Sequence, residues 1–290
     1  MSDVPGIVWG LFTLVSWGVA DFLARDLAVR VGGLSAAFLI VGLGALMPLG
    51  LLAVDAGTGS MATVDWATFA WAAPLTGTLL GAAYAVYYTG LQRGSVAVVT
   101  GVGSGWLVVS VLIAVVAFGE ALTTAQTLAI VLVLGGVALI STQRTVASGG
   151  ASGLGWGVLA MLTLGGALAM WKPLTEAAGP AVAVLVVRLI AAGSLYVYFR
   201  ARGGRPRLPL GSGTWRILAA AAALDGAGFV AYNIGLDGAP LTVIAPLAAA
   251  HPLATIALAA VLLRERLTLA QGAGVGLTVS AVMALSVLVA

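Results

Sequence analysis

The chain has 290 residues, 61% of them hydrophobic and only 8% charged, with a net charge of +3, one histidine and no cysteine. A soluble domain carries about 25% charged residues, so this chain needs a bilayer as its solvent. The small net charge argues against nucleic acid, and the cysteine and histidine counts argue against a disulfide framework or a zinc site.

Ten apolar runs follow in chain order, near 4–24, 34–54, 66–90, 95–118, 124–142, 153–171, 180–200, 215–236, 240–263 and 268–289. Each approaches the roughly 20 residues that cross about 30 Å of hydrocarbon. Met1-Ser2-Asp3-Val4 has no basic stretch, so the first run reads as a retained span. Turn chemistry separates the runs at Gly32-Gly33, Asp55-Ala56-Gly57, Gln92-Arg93-Gly94 and Asp237-Gly238-Ala239-Pro240. The polar stretch Gln143–Ser152 links two halves, and Arg200–Arg207 forms the longest basic loop. The expected fold is an all-α integral membrane protein with ten transmembrane helices.

The halves are copies. Residues 81–126 and 226–271 align without a gap, with Gly81/Gly226, Tyr87/Tyr232, Leu122/Leu267 and Glu120/Glu265 among the identities. The half-starts match as well, Gly6-x-x-Trp9-Gly10 against Gly153-x-x-Trp156-Gly157. Five spans per copy reverse the second copy in the membrane. The expectation is an inverted repeat, 1–146 and 153–290, with a ligand site near midplane where the copies meet. Most of the 40 glycines are expected to serve close helix packing.

Trp17-Gly18-Val19-Ala20-Asp21-Phe22, the block Thr89–Ala97 through Phe118–Thr123, and its copy Ile234–Pro240 through Arg264–Thr268 resemble the EamA family of the drug/metabolite transporter superfamily. The resemblance spans nearly the whole chain. It implies ten helices, an inverted repeat and alternating access around a central cavity, with amino acids, metabolites, drugs or nucleotide sugars as cargo. The family's arginine in the second helix of a repeat is matched by Arg188, whereas Val41 stands in the first copy; its fourth-helix proline is matched by Pro246, against Gly101.

Eleven of the thirteen basic residues fall on loops after odd-numbered spans; Lys172 lies on the opposite face and Arg188 inside a span. Basic loops stay in the cytoplasm, so both termini are expected outside the cell membrane. The family resemblance implies the reverse.

Ionisable groups at mid-bilayer are costly and usually face a cavity or a partner. Asp225, Arg188 and His251 qualify by depth. Asp225, with Gly228 and Tyr232 on its face, is expected to bind a cationic group or carry a coupling proton, the alternative being an ion pair with Arg188. His251 lies between Pro246 and Pro252, where the helix is expected to break and expose carbonyls; the imidazole would relay protons or bind substrate, or be satisfied by Thr255. Trp17 and Asp21 are candidates for the cavity mouth, against a local pair of Asp21 with Arg25. Tyr84, Tyr88, Tyr232, Asn233 and Trp106 are candidate walls. Glu120 and Glu265 read as structural, capping the helix that follows each.

Ser104 with His251 raises an intramembrane serine hydrolase, but the first glycine of Gly-x-Ser-Gly is replaced by Val102 and no oxyanion-hole donors accompany it. The expected function is therefore a non-enzymatic, gradient-driven carrier of small organic solutes without a cofactor. Its partners are a small-molecule substrate, the lipid bilayer and, as candidate coupling ion, protons; a monomer suits the pattern. A passive channel and a non-transport scaffold are the alternatives.

Overall fold

The computed structural model describes residues 4–59, 63–93, 102–103, 105–140, 153–262 and 268–289. They form α1 (Val4–Val31), α2 (Gly33–Gly44), α3 (Met47–Thr58), α4 (Trp66–Arg93), α5 (Trp106–Phe118), α6 (Thr124–Ile140), α7 (Leu154–Ala201), α8 (Ser212–Gly238), α9 (Leu241–Ala249), α10 (Pro252–Leu262) and α11 (Leu269–Val289). Among the described residues there is no strand. Gly6–Val31, Gly33–Thr58, Trp66–Gly90, Leu154–Ala201 and Ser212–Gly238 are long and apolar enough to cross a membrane. Large apolar side chains such as Val8, Val15, Leu112, Val116 and Leu128 are exposed on the outside. In water that would be a liability; against lipid it is the ordinary state.

Three breaks have local causes. At 1.5 Å per residue α7 would run roughly 72 Å, but it is interrupted at Gly179 (φ 75°, ψ 161°), next to Pro180. The expected run 34–54 is two helices, α2 and α3, parted at Ala45-Leu46 with Pro48 in the first turn of α3. Pro48 has no N–H and its ring obstructs the carbonyl four residues back, at Gly44. Likewise α9 ends at Ala249 and α10 begins at Pro252, while Pro246 is tolerated inside α9.

Each half packs its helices into the other. α1 runs along α8 and α9, α4 lies along α7, α5 meets α7 and α9, and α6 pairs with α11. The matched glycines Gly81 and Gly226 mark reciprocal crossings: a Cβ on Gly81 would stand 2.9 Å from the Ala191 carbonyl oxygen, and one on Gly226 2.5 Å from that of Gly44. Absence of a side chain lets these backbones touch. The main core runs through both halves and includes Trp17, Trp106, Trp171, Phe229 and Tyr232.

Helix ends are capped locally and, in one case, across the same interface. Thr123 and Gln126 form a reciprocal box at the start of α6, Thr123 N–H to Gln126 Oε1 at 2.9 Å and Gln126 N–H to Thr123 Oγ1 at 3.2 Å. Glu120 therefore does not cap the helix that follows it, as its position suggested. Its two oxygens accept from the N–H groups of Leu241 and Thr242, each at 2.8 Å, at the start of α9 in the other half. Lys172 stands 3.8 Å from Glu120 and 3.1 Å from Glu176. Asp65 caps α4 through Ala67 N–H at 3.0 Å; a side-chain bond from Thr68, then that backbone bond, hold its carboxyl below the usual range. Glu265, Ser104 and Gly101 lie outside the described residues.

Candidate functional site

Two ionisable pairs sit within the bundle, one inside the second half and one between the halves. The first is Arg188 with Asp225. Arg188 Nη2 donates to Asp225 Oδ2 at 2.7 Å and to the Ile40 carbonyl at 3.0 Å. Its guanidinium also lies 5.0 Å from the Phe229 ring centroid. The Arg188 side chain is wholly buried and that of Asp225 is 13% exposed. A Cβ on Gly44 would clash with Nη2, so the missing side chain in α2 makes room for the guanidinium. Arg188 Nε and Nη1 have no acceptor among the described residues.

The second pair is Asp21 with His251. Pro252 cannot donate to the Ala248 carbonyl, which instead accepts from His251 N–H at 3.1 Å. The same carbonyl lies 3.3 Å from His251 Nδ1. The helix breaks between Pro246 and Pro252 as expected, but as a tight turn in which the carbonyls of Leu247, Ala248, Ala250 and His251 accept from N–H groups, not as an unwound stretch. Across it, His251 Nε2 is 3.2 Å from Asp21 Oδ2 in α1, with side-chain exposures of 22% and 53%. The Thr255 hydroxyl donates to the Gly18 carbonyl at 2.9 Å and so locks α10 to α1 instead of satisfying the imidazole. A Cβ on Gly18 would stand 2.5 Å from the His251 carbonyl oxygen, which is how closely the two backbones approach.

This geometry is selective for protonation state. A neutral imidazole has one N–H. Both ring nitrogens face oxygens that only accept, the Ala248 carbonyl and the Asp21 carboxylate, so one N–H serves one contact and leaves the other acceptor against acceptor. A second proton on the ring satisfies both contacts at once and adds charge attraction to Asp21.

Aromatic rings join the two pairs. Trp17 stacks on Tyr232 with centroids 5.6 Å apart, tilts against Phe229 at 4.8 Å, and meets His251 edge-on at 6.1 Å. Phe229 thus touches both Trp17 and Arg188. Gly228 seats Trp17: a Cβ there would be 2.5 Å from the indole Cδ1. Trp17 Nε1 and Trp171 Nε1 are buried donors without an acceptor among the described residues. Tyr84 and Tyr88 are half-buried in α4.

Not every candidate offers a polar group here. Tyr232 reaches Trp17 with its ring, but it is fully buried and its hydroxyl donates to the Leu168 carbonyl at 3.4 Å. Asn233, also fully buried, accepts from the Thr175 hydroxyl and donates to the Phe229 carbonyl at 2.8 Å. Trp106 opens α5 and is 4% exposed within the main core. Phe229 went unnoticed in the sequence, although it stands opposite Tyr84 in the repeat alignment and four residues after Asp225.

A family model for the EamA-like transporter family matches residues 4–142 and 151–287. The chain belongs to the EamA-like transporter family. It is accordingly a multi-pass membrane protein of a transporter family, not of an enzyme family. No curated protein matches it. Of the solved structures, 29 chains match. One, a crystal structure of a protein, has a TM-score of 0.80 and 18% sequence identity, covering 98% of this chain and 97% of its own. At that identity the likeness concerns the fold alone. The EamA match takes in Asp21 and His251 in different copies of the family domain, along with Arg188 and Asp225 in the second.

Proposed function

We propose that this EamA-like protein is a secondary carrier of small organic solutes in the cell membrane, coupled to protons. The observation that carries the reading is the Asp21–His251 contact at 3.2 Å, made between the two family domains at the α9–α10 break. Ten spans in two inverted five-helix repeats, 1–146 and 153–290, are part of the proposal. The reciprocal Gly81 and Gly226 crossings and the pairing of α1 with α8 and α4 with α7 support it.

Protonation makes Asp21 and His251 an ion pair, drawing α1 onto the break; loss of the proton leaves one ring N–H for two acceptors, the Ala248 carbonyl and Asp21, and loosens α1. A proton gradient therefore biases which face the site opens to, and a solute whose binding differs between the two states is moved with or against the proton. Arg188–Asp225 fixes the position of Phe229, and through it Trp17, as one wall. Asp21, Tyr84 and Tyr88 contribute polar and aromatic groups to the solute, a mix suited to a small organic molecule. In the orientation proposed, the arginine-rich face is cytoplasmic and both termini are external. Arg30 bonded to Thr214 and Arg207 bonded to Ser35 gather basic residues at one end, while Lys172 lies by the start of α9.

The test is a thermal-shift screen of the purified protein against a metabolite panel, followed by flux of the solutes that stabilise it in proteoliposomes. Saturable uptake with counterflow supports a carrier. Linear, unsaturated flux indicates a channel, and no flux of any stabilising solute indicates a scaffold.

A further inference from the structure

We infer that the arginine-rich end of the protein carries a second site, separate from the Asp21–His251 centre, that binds a phosphate group. A pocket of about 340 Å³ opens where the α1–α2 junction, the end of α4, the end of α7 and the loop after α7 come together. Gly32, Ser35, Thr89, Tyr198, Arg202 and Arg207 supply its polar lining, and no acidic residue is among its walls. Among the described residues, neither Arg202 nor Arg207 is paired with a carboxylate. The pocket therefore holds two positive charges with no carboxylate among the described residues to neutralise them.

The Arg202 guanidinium and the backbone of Arg207 are held in place before any ligand arrives. Thr89 Oγ1 and Tyr198 Oη share a hydrogen bond of 2.8 Å, and Arg202 Nη1 donates to the same Tyr198 oxygen at 3.2 Å. The Arg202 guanidinium also lies 5.7 Å from the Tyr198 ring centroid. One of its five N–H groups is thereby engaged and the planar fork is oriented, as bidentate recognition of a phosphate requires. Arg207 N–H donates to Ser35 Oγ at 3.1 Å, which ties the loop across the first turn of α2. That helix starts after Gly32 (φ 87°) with no side-chain cap and no acidic residue in its first turn. Its first N–H groups add partial positive charge to the same end. Two guanidiniums, hydroxyls and an uncapped helix start, without a competing acid, select a compact polyoxygen anion.

The site lies at the end of the spans, at the level of lipid head groups. A phosphate there comes from an anionic lipid or from a soluble phosphate ester, and the chemistry of recognition is shared. Juxtamembrane arginines near anionic leaflets each contribute on the order of 1 kcal/mol, so two of them give a preference of roughly thirtyfold.

The test uses the full chain purified in detergent. Native mass spectrometry measures retention of phosphatidylglycerol against phosphatidylcholine, and a thermal-shift titration with glycerol 3-phosphate supplies the phosphate without acyl chains. Wild type is expected to retain phosphatidylglycerol at least about tenfold better than phosphatidylcholine, and the R202Q/R207Q variant to lose that preference. A glycerol 3-phosphate shift that disappears in the variant assigns a soluble ester as a ligand; lipid preference without that shift assigns the lipid. Equal retention by wild type and variant, with no arginine-dependent glycerol 3-phosphate shift, overturns the inference. If the double variant does not fold, Tyr198→Phe decides. It removes the hydrogen bond that orients Arg202 while keeping the ring beneath it, and binding of the same probes weakened about threefold supports the site, whereas unchanged binding overturns it.

Discussion

Asp21 in α1 and His251 at the α9–α10 break face each other at 3.2 Å, each from a different copy of the EamA domain. The contact depends on a proline. Pro252 removes the N–H that would have bonded to the Ala248 carbonyl, and that carbonyl turns His251 so that Nε2 points at the carboxylate. The same turn brings α1 so near that Gly18 alone fits against the His251 carbonyl. A broken helix, a titratable pair and a close helix crossing thus coincide at the interface across which the halves would move.

The Arg188–Asp225 pair is expected to behave as a structural unit. Asp225→Asn leaves a wholly buried guanidinium without its counter-charge, and removing one partner of a buried pair costs about 3–5 kcal/mol. A lower melting temperature of the detergent-purified protein, together with weakened transport, is the expected outcome. Arg188→Leu with Asp225→Leu should recover most of the stability. An Asp225→Asn protein that melts and transports like wild type would show that the pair bears on neither.

Gly228 is predicted to tolerate no side chain. Alanine there would meet the Trp17 indole at 2.5 Å from Cδ1, and the ring, stacked on Tyr232 and beside His251, has no free direction to move. Overpacking of this kind costs about 1–3 kcal/mol. Solute affinity should fall along with stability, measured by the ligand-induced thermal shift. Unchanged affinity would place Trp17 outside the solute's path.

Glu120 offers a test of how the halves are joined. Glu120→Ala removes both acceptors from the start of α9 and should destabilise the protein by about 1–2 kcal/mol. Glu120→Gln keeps one acceptor and should lose less. If both variants unfold at the wild-type temperature, water serves that helix end equally well.

The sequence alone made one ionic pair legible and hid the other. Arg188 and Asp225 stand out because each interrupts an apolar run, and few partners exist at that depth. Asp21 has Arg25 one turn away, so local spacing favoured a surface pair; its contact with His251 follows from the crossing of α1 with α10, which spacing does not encode. Glu120 misled for the opposite reason. It precedes Leu-Thr at the lip of α6, yet Thr123 and Gln126 already cap that helix, and the carboxylate is free to serve α9. Tyr232 and Asn233 looked like cavity polar groups because they follow Asp225 along one helix. Packing against α7 buries them and Thr175, Leu168 and Phe229 satisfy them. The break at Pro252 was legible, since proline acts through its own ring and its missing donor.

Orientation is open to direct labelling. A cysteine replacing Ser212, next to the arginine-rich loop, should resist a membrane-impermeant maleimide in intact cells, while one replacing the exposed Thr58 at the end of α3 should react. Reversed labelling would place the arginine-rich face outside, against the charge bias.

The most direct measurement compares two transport modes of one solute, taken from the thermal-shift screen, in one proteoliposome preparation. Uptake driven by a pH gradient needs the proton that Asp21 and His251 hold between them; exchange of labelled for unlabelled solute at equal pH does not. Gln at position 251 keeps hydrogen bonding but cannot take the proton. The account predicts that His251→Gln abolishes gradient-driven uptake and leaves exchange intact, and that Asp21→Asn does the same. Gradient-driven uptake at the wild-type rate in both variants would contradict it.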